Sequence, residues 1–226
     1  MLKLTKIAVL PLVLAGCQVS TPAPVSLDVP GFAANNSTLP GGHHFNTISY
    51  AGNTGAGGMS ASISGASTGP GTFSQNSSIT NLGTAGAPSG NATFAGNYVA
   101  SYVDLNIDQD LLVVFGDANL NYNFAGSTIT GTIANRKFLT PNGPGTTVFL
   151  NDVTLTSSAV NVGSGVFSGS TAGGTHLGLT QSGSGSNGYN GQIGGTAGSD
   201  VAGQVFLDFT YTTGEHVIEN GVFLAN

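Results

Sequence analysis

Apolar and polar residues alternate with a period of two through much of the chain beyond residue 93. In the stretch 118–125, Leu120, Tyr122 and Phe124 alternate with asparagines, and the stretch 201–211 repeats the pattern. Strict alternation is typical of a β-strand with one buried face. The predicted strands are 97–107, 111–115, 118–125, 127–134, 147–156, 159–168, 175–181, 188–194, 201–211 and a closing strand 215–224. Merging of some adjacent segments across a bend is the alternative.

Turn-forming residues separate these segments, for example "GD" at 116–117, "PNGPG" at 141–145 and "TGE" at 213–215. No stretch has the pattern of an amphipathic helix. Strands with one apolar face, joined by short turns, close most naturally into a barrel, which also removes exposed strand edges. We therefore predict an all-β fold, an antiparallel up-and-down β-barrel of about eight strands over residues 93–226.

The residues before the barrel fall into two kinds. Residues 17–40 hold four of the nine prolines and no periodicity, so they are predicted to form a flexible tether. Residues 41–92 are rich in Gly, Ser and Thr, with short apolar alternations around Ile48, Ile63 and Phe73. This segment is predicted to be weakly ordered or a small β-region.

The first sixteen residues have the pattern of an export signal. Two lysines precede an apolar run that is too short to cross a bilayer. The run ends Leu14-Ala15-Gly16-Cys17, which resembles the bacterial lipoprotein box. That resemblance implies cleavage after residue 16 and acylation of Cys17, with several acyl chains giving stable anchoring. Gln18, where inner-membrane lipoproteins often carry Asp, indicates the outer membrane.

Composition narrows the classes of function. Only 6% of the residues are charged, against about 25% in typical soluble domains. Without the signal, two basic residues, Arg136 and Lys137, stand against ten acidic ones. Such a surface cannot neutralise several phosphates, so we expect no nucleic-acid partner. Cys17 is the only cysteine, so its acylation would leave no thiol for a disulfide, a cysteine-based metal site or a nucleophile.

An aromatic–small–Gly sequence recurs as "FAGNY" at 94–98, "FAGST" at 124–128 and "FSGST" at 167–171. In a small barrel, glycine permits strong coiling and a neighbouring aromatic ring can cover the gap that it leaves. Chance repetition in a chain with 36 glycines is the alternative.

These strands, the stretch "NGYNGQIGGTAGSDVAGQVFLDF" and the closing hairpin resemble the lipoprotein barrel shared by transferrin-binding protein B and factor H-binding protein. Gly194, Gly195, Ala197 and Gly203 occupy the places of the family's turn and strand motif, while its proline and paired glutamates are missing. The resemblance covers residues 93–226 and the lipoprotein box. It implies a non-enzymatic, surface-exposed outer-membrane protein whose partner is a protein or a small nutrient, with iron or heme acquisition as the leading role. The family binds through variable loops, so no ligand-binding residue is carried over.

Two glycine motifs offer rival interpretations. "GASTG" at 65–69 matches the nucleophile elbow, which needs a strand before it and a helix after it. "GSGSNG" at 183–188 matches the dinucleotide motif but precedes a predicted strand instead of a helix. Both are expected by chance in this composition, and the Gly-rich start of 194–211 is interpreted as a turn entering a strand.

The remaining chemical candidates are isolated. Of the histidines, His43 and His44 are adjacent, and His176 and His216 lie singly on predicted strands. Asn106, Asp108 and Asp110 have the alternating spacing of a calcium loop, but Leu111 replaces the glycine and no glutamate closes it. Glu215 and Glu219 alone do not make a glycosidase pair. We predict no catalytic residue, no metal site and no cofactor.

A Gly/Ser/Thr-rich surface adhesin, folded as a β-solenoid, is the alternative. A solenoid requires one fixed repeat period, whereas the spacing here is irregular.

Overall fold

The computed structural model describes residues 30–36, 45–55, 58–69, 72–106, 111–140, 143–148 and 150–226. The predicted signal, Cys17 and most of the predicted tether lie outside the described residues. The described strands are β1 (Phe32–Asn36), β2 (Phe45–Asn53), β3 (Met59–Gly69), β4 (Thr72–Asn81), β5 (Ala92–Asp104), β6 (Leu111–Asn123), β7 (Thr128–Thr140), β8 (Gly143–Val148), β9 (Val153–Ala159), β10 (Val166–Gly173), β11 (Gln181–Ser184), β12 (Gly188–Gly194), β13 (Asp200–Tyr211) and β14 (His216–Ala225). No helix among the described residues is long and apolar enough to cross a membrane.

Eight strands form a closed antiparallel barrel. Their order around the ring is β13, β12, β10, β9, β7, β6, β5 and β14, and the β13–β14 pairing closes the ring. The short strands β8 and β11 pair with β7 and β13 outside this ring. The predicted all-β, antiparallel eight-stranded barrel is thereby confirmed, and the solenoid alternative is wrong for the described part of the chain.

Strands β1 to β4 form a separate antiparallel sheet in sequence order. Ile48 and Ile63, on β2 and β3, are 3% exposed and lie in one apolar cluster with Val99 and Val222 of the barrel. The small sheet therefore packs on the outside of the barrel, mainly against β13 and β14, with further contacts to β5 and β6. Burial of each such side chain contributes about 1.5–3 kcal/mol.

Burial on both faces explains why β5 and β14 have weak alternation in sequence. Val99 and Val222 face the small sheet, whereas Tyr98 and Phe223 lie in the barrel core. A strand covered on both sides needs apolar residues at consecutive positions. The run "YVASYV" in β5 is such a case.

Several strand predictions were wrong. The predicted strand 147–156 covers the end of β8 and the start of β9, and the predicted strand 159–168 is broken by a turn at 162–164. The segments 111–115 and 118–125 form the single strand β6, so "GD" at 116–117 is not a turn. The predicted strand 175–181 is mostly turn, apart from an isolated bridge between Leu150 and His176. Gly173, Gly174 and Gly178 have φ angles of 77°, 85° and 84°. These left-handed positions interrupt an extended chain.

Candidate functional site

The Gly-rich stretch 194–203 is a strand–turn–strand connection. Gly194 ends β12, and a short 3₁₀ turn over Thr196–Gly198 leads into β13. Gly195 and Ala197 have φ angles of 76° and 58°, both in the left-handed region. No helix follows, so the geometry that presents backbone N–H groups to a phosphate is missing here.

Gly203 lies in β13 opposite Phe223 of β14. A Cβ at Gly203 would stand 2.1 Å from Cζ of that ring, so the ring occupies the place of the missing side chain. Gly191 is covered in the same way by Phe167, its cross-strand partner. Aromatic rings thus fill the gaps that glycines leave in the barrel wall.

The recurring aromatic–small–Gly sequence serves this purpose at one of its three occurrences. Gly169 of "FSGST" lies under the ring of Tyr189. Gly96 of "FAGNY" instead faces the backbone of Leu224, at a close approach of two strands. "FAGST" forms the turn after β6 and leaves Phe124 47% exposed. The three sequences therefore have three different structural roles.

The two catalytic-looking glycine motifs lie in β-structure. "GASTG" belongs to β3, which turns directly into the antiparallel strand β4. "GSGSNG" spans the end of β11, a loop and the first residue of β12. Neither has the helix that its motif requires.

The candidate metal ligands do not form a cluster in the described part of the chain. His216 Nε2 lies 3.0 Å from Asp208 Oδ1 in a partly exposed pair. The amide side chain of Asn106 donates to the carbonyl of Gly214 at 3.1 Å. No group of three His, Cys, Asp or Glu side chains among the described residues could hold a metal ion. His43, His44, Asp108 and Asp110 lie outside the described residues.

A buried ion pair lies inside the barrel. Arg136 of β7 and Glu219 of β14 are 0% and 2% exposed, and the Arg136 Nη2 group donates to Glu219 Oε2. Arg136 Nη1 also donates to the carbonyls of Asn151, at 2.6 Å, and Gly174, at 3.0 Å. The Tyr98 hydroxyl donates to Glu219 Oε1 at 2.8 Å. Glu219 is thus held by two donors and is not paired with Glu215 for catalysis.

A β-bulge directs Arg136 into the barrel. Phe115 pairs with Lys137 and Asp117 with Ala134, so β7 has one residue more than β6 at this point. Asn135 lies in the bulge with a φ of 53°, and its amide donates to Asp117 at 2.6 Å. An extra residue reverses which positions face inward.

The electrostatics of this network favour one protonation state. Burial and the negative charge of Glu219 raise the pKa of Tyr98 well above its usual value. Burial lowers the pKa of Arg136, but Glu219 and Tyr98 more than offset this and leave its pKa raised. Arg136 therefore stays charged and Tyr98 neutral at physiological pH.

Sequence reasoning missed this network because it relied on regular alternation. In β7, the inward residues Ile129 and Ile133 predict the next inward position at residue 135, and the bulge moves it to Arg136. Glu219 gave a usable signal, since it falls in register with Val217 and Phe223 on the apolar face of β14. A carboxylate at such a position requires a buried partner, and Arg136 and Lys137 are the basic residues beyond the signal segment.

The described residues line several depressions, of which two, of about 370 and 530 Å³, are open to solvent. Two more bear on heme binding. One, at an end of the barrel, has a volume of about 130 Å³ and is lined by Tyr102, Phe138 and His176 among others. Ligand pockets usually measure about 300–1,000 Å³, so this one is too small for a heme. The other is an open groove of about 480 Å³ on the outer face of β10, β12, β13 and β14.

Comparison with solved structures finds transferrin-binding protein B (TbpB). TbpB from Haemophilus parasuis Hp5 is 12% identical over 90% of this chain and 38% of that chain, with a TM-score of 0.49. Intact Ap-TbpB, with N and C lobes, is 13% identical over 87% of this chain and 38% of that chain, with a TM-score of 0.46. Isotype 1 TbpB from serogroup B Neisseria meningitidis is 11% identical over 92% of this chain and 36% of that chain, with a TM-score of 0.38.

These likenesses agree with the predicted family resemblance, and they concern the fold alone. The chain spans little more than a third of the length of these proteins. No protein-family model matches the sequence, and no curated protein matches it.

Proposed function

We propose that this chain is a lipid-anchored, non-enzymatic binding protein of the outer membrane that meets its ligand on the outside of a rigid barrel. The observation that carries the proposal is the filled barrel interior, with the Arg136–Glu219 pair and Tyr98 at its centre. Removing one partner of a buried pair leaves an uncompensated charge. The interior is therefore structural, and ligands bind to the outer face and loops.

A macromolecular ligand fits this geometry better than an enclosed heme. The depression at the end of the barrel is too small for heme, and the groove of about 480 Å³ is open to solvent. Of the roles that the sequence resemblance implies, iron acquisition would then proceed through a host protein bound on the outer face.

Anchoring at Cys17 is tested by membrane fractionation. A Cys17→Ala change removes the acceptor thiol, and we expect the protein to leave the membrane fraction. Gln18→Asp keeps the thiol and is the matched control, expected to keep the protein in the membrane fraction but to direct it to the inner membrane. Unchanged fractionation of Cys17→Ala would contradict the anchor.

Ligand binding is tested by capture from the native host's fluid with the full chain in detergent, followed by mass spectrometry and an absorbance scan. We expect a retained host protein and no heme absorbance from the chain itself. Stoichiometric heme absorbance without a protein partner would contradict the proposal, as would capture of no protein.

A further inference from the structure

The outer faces of β10, β12 and β13, with Asn220 of β14, present one uncharged surface to solvent. On β10, β12, β13 and β14, the outward residues Ser170, Gly188, Phe206 and Asn220 lie in one cross-strand row. The next row holds Ser168, Asn190 and Gln204, and it ends at Val222, which the small sheet covers. This surface is the floor of the 480 Å³ groove, and Ser77 of β4 contributes to its wall. The residues that define this groove are Ser77, Ser168, Asn190, Gln204, Phe206 and Asn220.

An exposed aromatic ring lies in the middle of this groove. Phe206 is 41% exposed although it belongs to a central strand of the barrel. Its cross-strand partner on β12 is Gly188, which has no side chain to cover the ring. Removing an exposed apolar ring from water is favourable, so a ligand that covers this ring gains affinity.

Several polar side chains around the ring are fixed by one another. Ser77 Oγ donates to Asn220 Oδ1 at 2.9 Å, and Gln204 Nε2 donates to Ser77 Oγ at 2.8 Å. These bonds join the small sheet to the barrel at the edge of the groove. The three side chains are therefore held in place, and the donors and acceptors that they do not use are preorganised. Preorganisation lowers the entropic cost of binding a ligand.

Two further polar groups have unused hydrogen-bonding capacity. Asn190 is exposed and makes no side-chain hydrogen bond within the described part of the chain, and the same holds for Ser168. The two residues are cross-strand partners, so their side chains emerge next to each other. An amide and a hydroxyl side by side can both donate and accept.

We propose that this groove binds a neutral saccharide. The C–H face of a sugar ring covers an exposed aromatic ring, whose face carries negative charge density. Sugar hydroxyls need partners that both donate and accept, which Asn, Gln and Ser side chains provide. The six residues that define the groove are uncharged, and the chain is acidic overall, so an anionic sugar gains no ion pair here.

This inference deepens the proposed function, on which it rests, by naming the chemical group that one part of the outer face recognises. Its test does not depend on the anchor. Failure of Cys17→Ala to change fractionation would contradict the anchoring, whereas the glycan measurements below address the groove alone.

The test applies the full chain in detergent to an array of neutral and sialylated mammalian glycans and titrates the strongest neutral glycan by calorimetry. Phe206→Ala should weaken binding at least tenfold, and Asn190→Ala should weaken it several-fold. Phe124→Ala removes another exposed phenylalanine, far along the chain in the turn after β6, and should change affinity less than twofold. Thermal melting of Phe206→Ala checks that the barrel remains folded.

If the chain binds no neutral glycan on the array, the proposal is overturned. Equal losses of affinity for Phe206→Ala and Phe124→Ala would also overturn it. Binding restricted to sialylated glycans also contradicts it. Concentration-dependent dimerisation that Phe206→Ala abolishes, without glycan binding, would assign the surface to a second copy of the chain.

Discussion

Gly203 shows at the scale of one residue how the barrel wall is built. A side chain there would enter the space of the Phe223 ring and approach the Asn190 carbonyl to 2.7 Å. Gly203→Val should therefore lower the free energy of unfolding by about 1–3 kcal/mol through overpacking. Gly90→Val is the matched control, since a Cβ at Gly90 meets nothing within 4 Å. Denaturant midpoints compare the two, and equal small losses would contradict the packing described for Gly203.

The Arg136–Glu219 pair is a second feature that single residues decide. Arg136→Met leaves Glu219 charged and buried, and Glu219→Gln leaves Arg136 without a counter-charge. We expect each change to cost about 3–5 kcal/mol of unfolding free energy. The double variant should lose less unfolding free energy than the two single variants together, because it leaves no unpaired buried charge. Additive losses in this double-mutant cycle would show that the two side chains are not coupled.

Among the elements, the bulge in β7 controls which residue faces inward. Asn135 has a φ of 53°, a conformation that β-branched residues adopt with strain. Asn135→Val should destabilise the protein by about 1–3 kcal/mol more than Asn135→Gly. Both variants lose the hydrogen bond to Asp117, so their difference isolates the backbone. Urea unfolding measures this difference, and equal stability of the two variants would contradict a left-handed residue here.

The same element shows how far sequence could predict the fold. Alternation at Leu120 and Tyr122 correctly predicted a half-buried strand. Successive side chains of a strand point to opposite faces, so a sheet with one covered face requires an apolar residue at every second position. The glycine at 116 suggested a turn, but it lies inside β6, where a Cβ would stand 2.6 Å from the carbonyl of Ala134. The bulge opposite it depends on the pairing of two strands, which local sequence does not encode.

The groove was missed for a related reason. Ser168, Asn190 and Phe206 are separated in sequence and meet only through the register of β10, β12 and β13. Each of them falls on the polar side of its strand, so the alternation alone assigns it to solvent. A binding surface assembled from strands of a closed barrel therefore requires the order of strands around the ring.

For the whole molecule, buried tyrosines predict a loss of stability at alkaline pH. Burial raises the pKa of Tyr98 and of Tyr102 above the unfolded value of 10.0. Below pH 10 both tyrosines are protonated in the folded and in the unfolded chain, so their contribution to the free energy of unfolding is fully present there. Above pH 10 the unfolded chain releases protons that the folded chain retains, and stability falls by about 1.4 kcal/mol per pH unit for each tyrosine.

Urea unfolding between pH 9 and 11.5 measures this dependence. Tyr102→Phe should reduce the slope above pH 10, and it removes no hydrogen bond to Glu219. A stability that is constant across this range would contradict the burial of both hydroxyls.

Thiol labelling tests whether the protein is anchored through Cys17 and turns its binding surface away from the membrane. Because Cys17 is the only cysteine, an introduced cysteine is a unique label site if Cys17 is acylated. Val162, 49% exposed, is suitable for this change. With a membrane-impermeant maleimide, we predict that Val162→Cys is labelled on intact cells and that the unmodified protein stays unlabelled even after lysis in denaturant. Labelling of the unmodified protein after lysis would contradict the acylation of Cys17. Labelling of Val162→Cys only after lysis would contradict an exposed position on the cell surface.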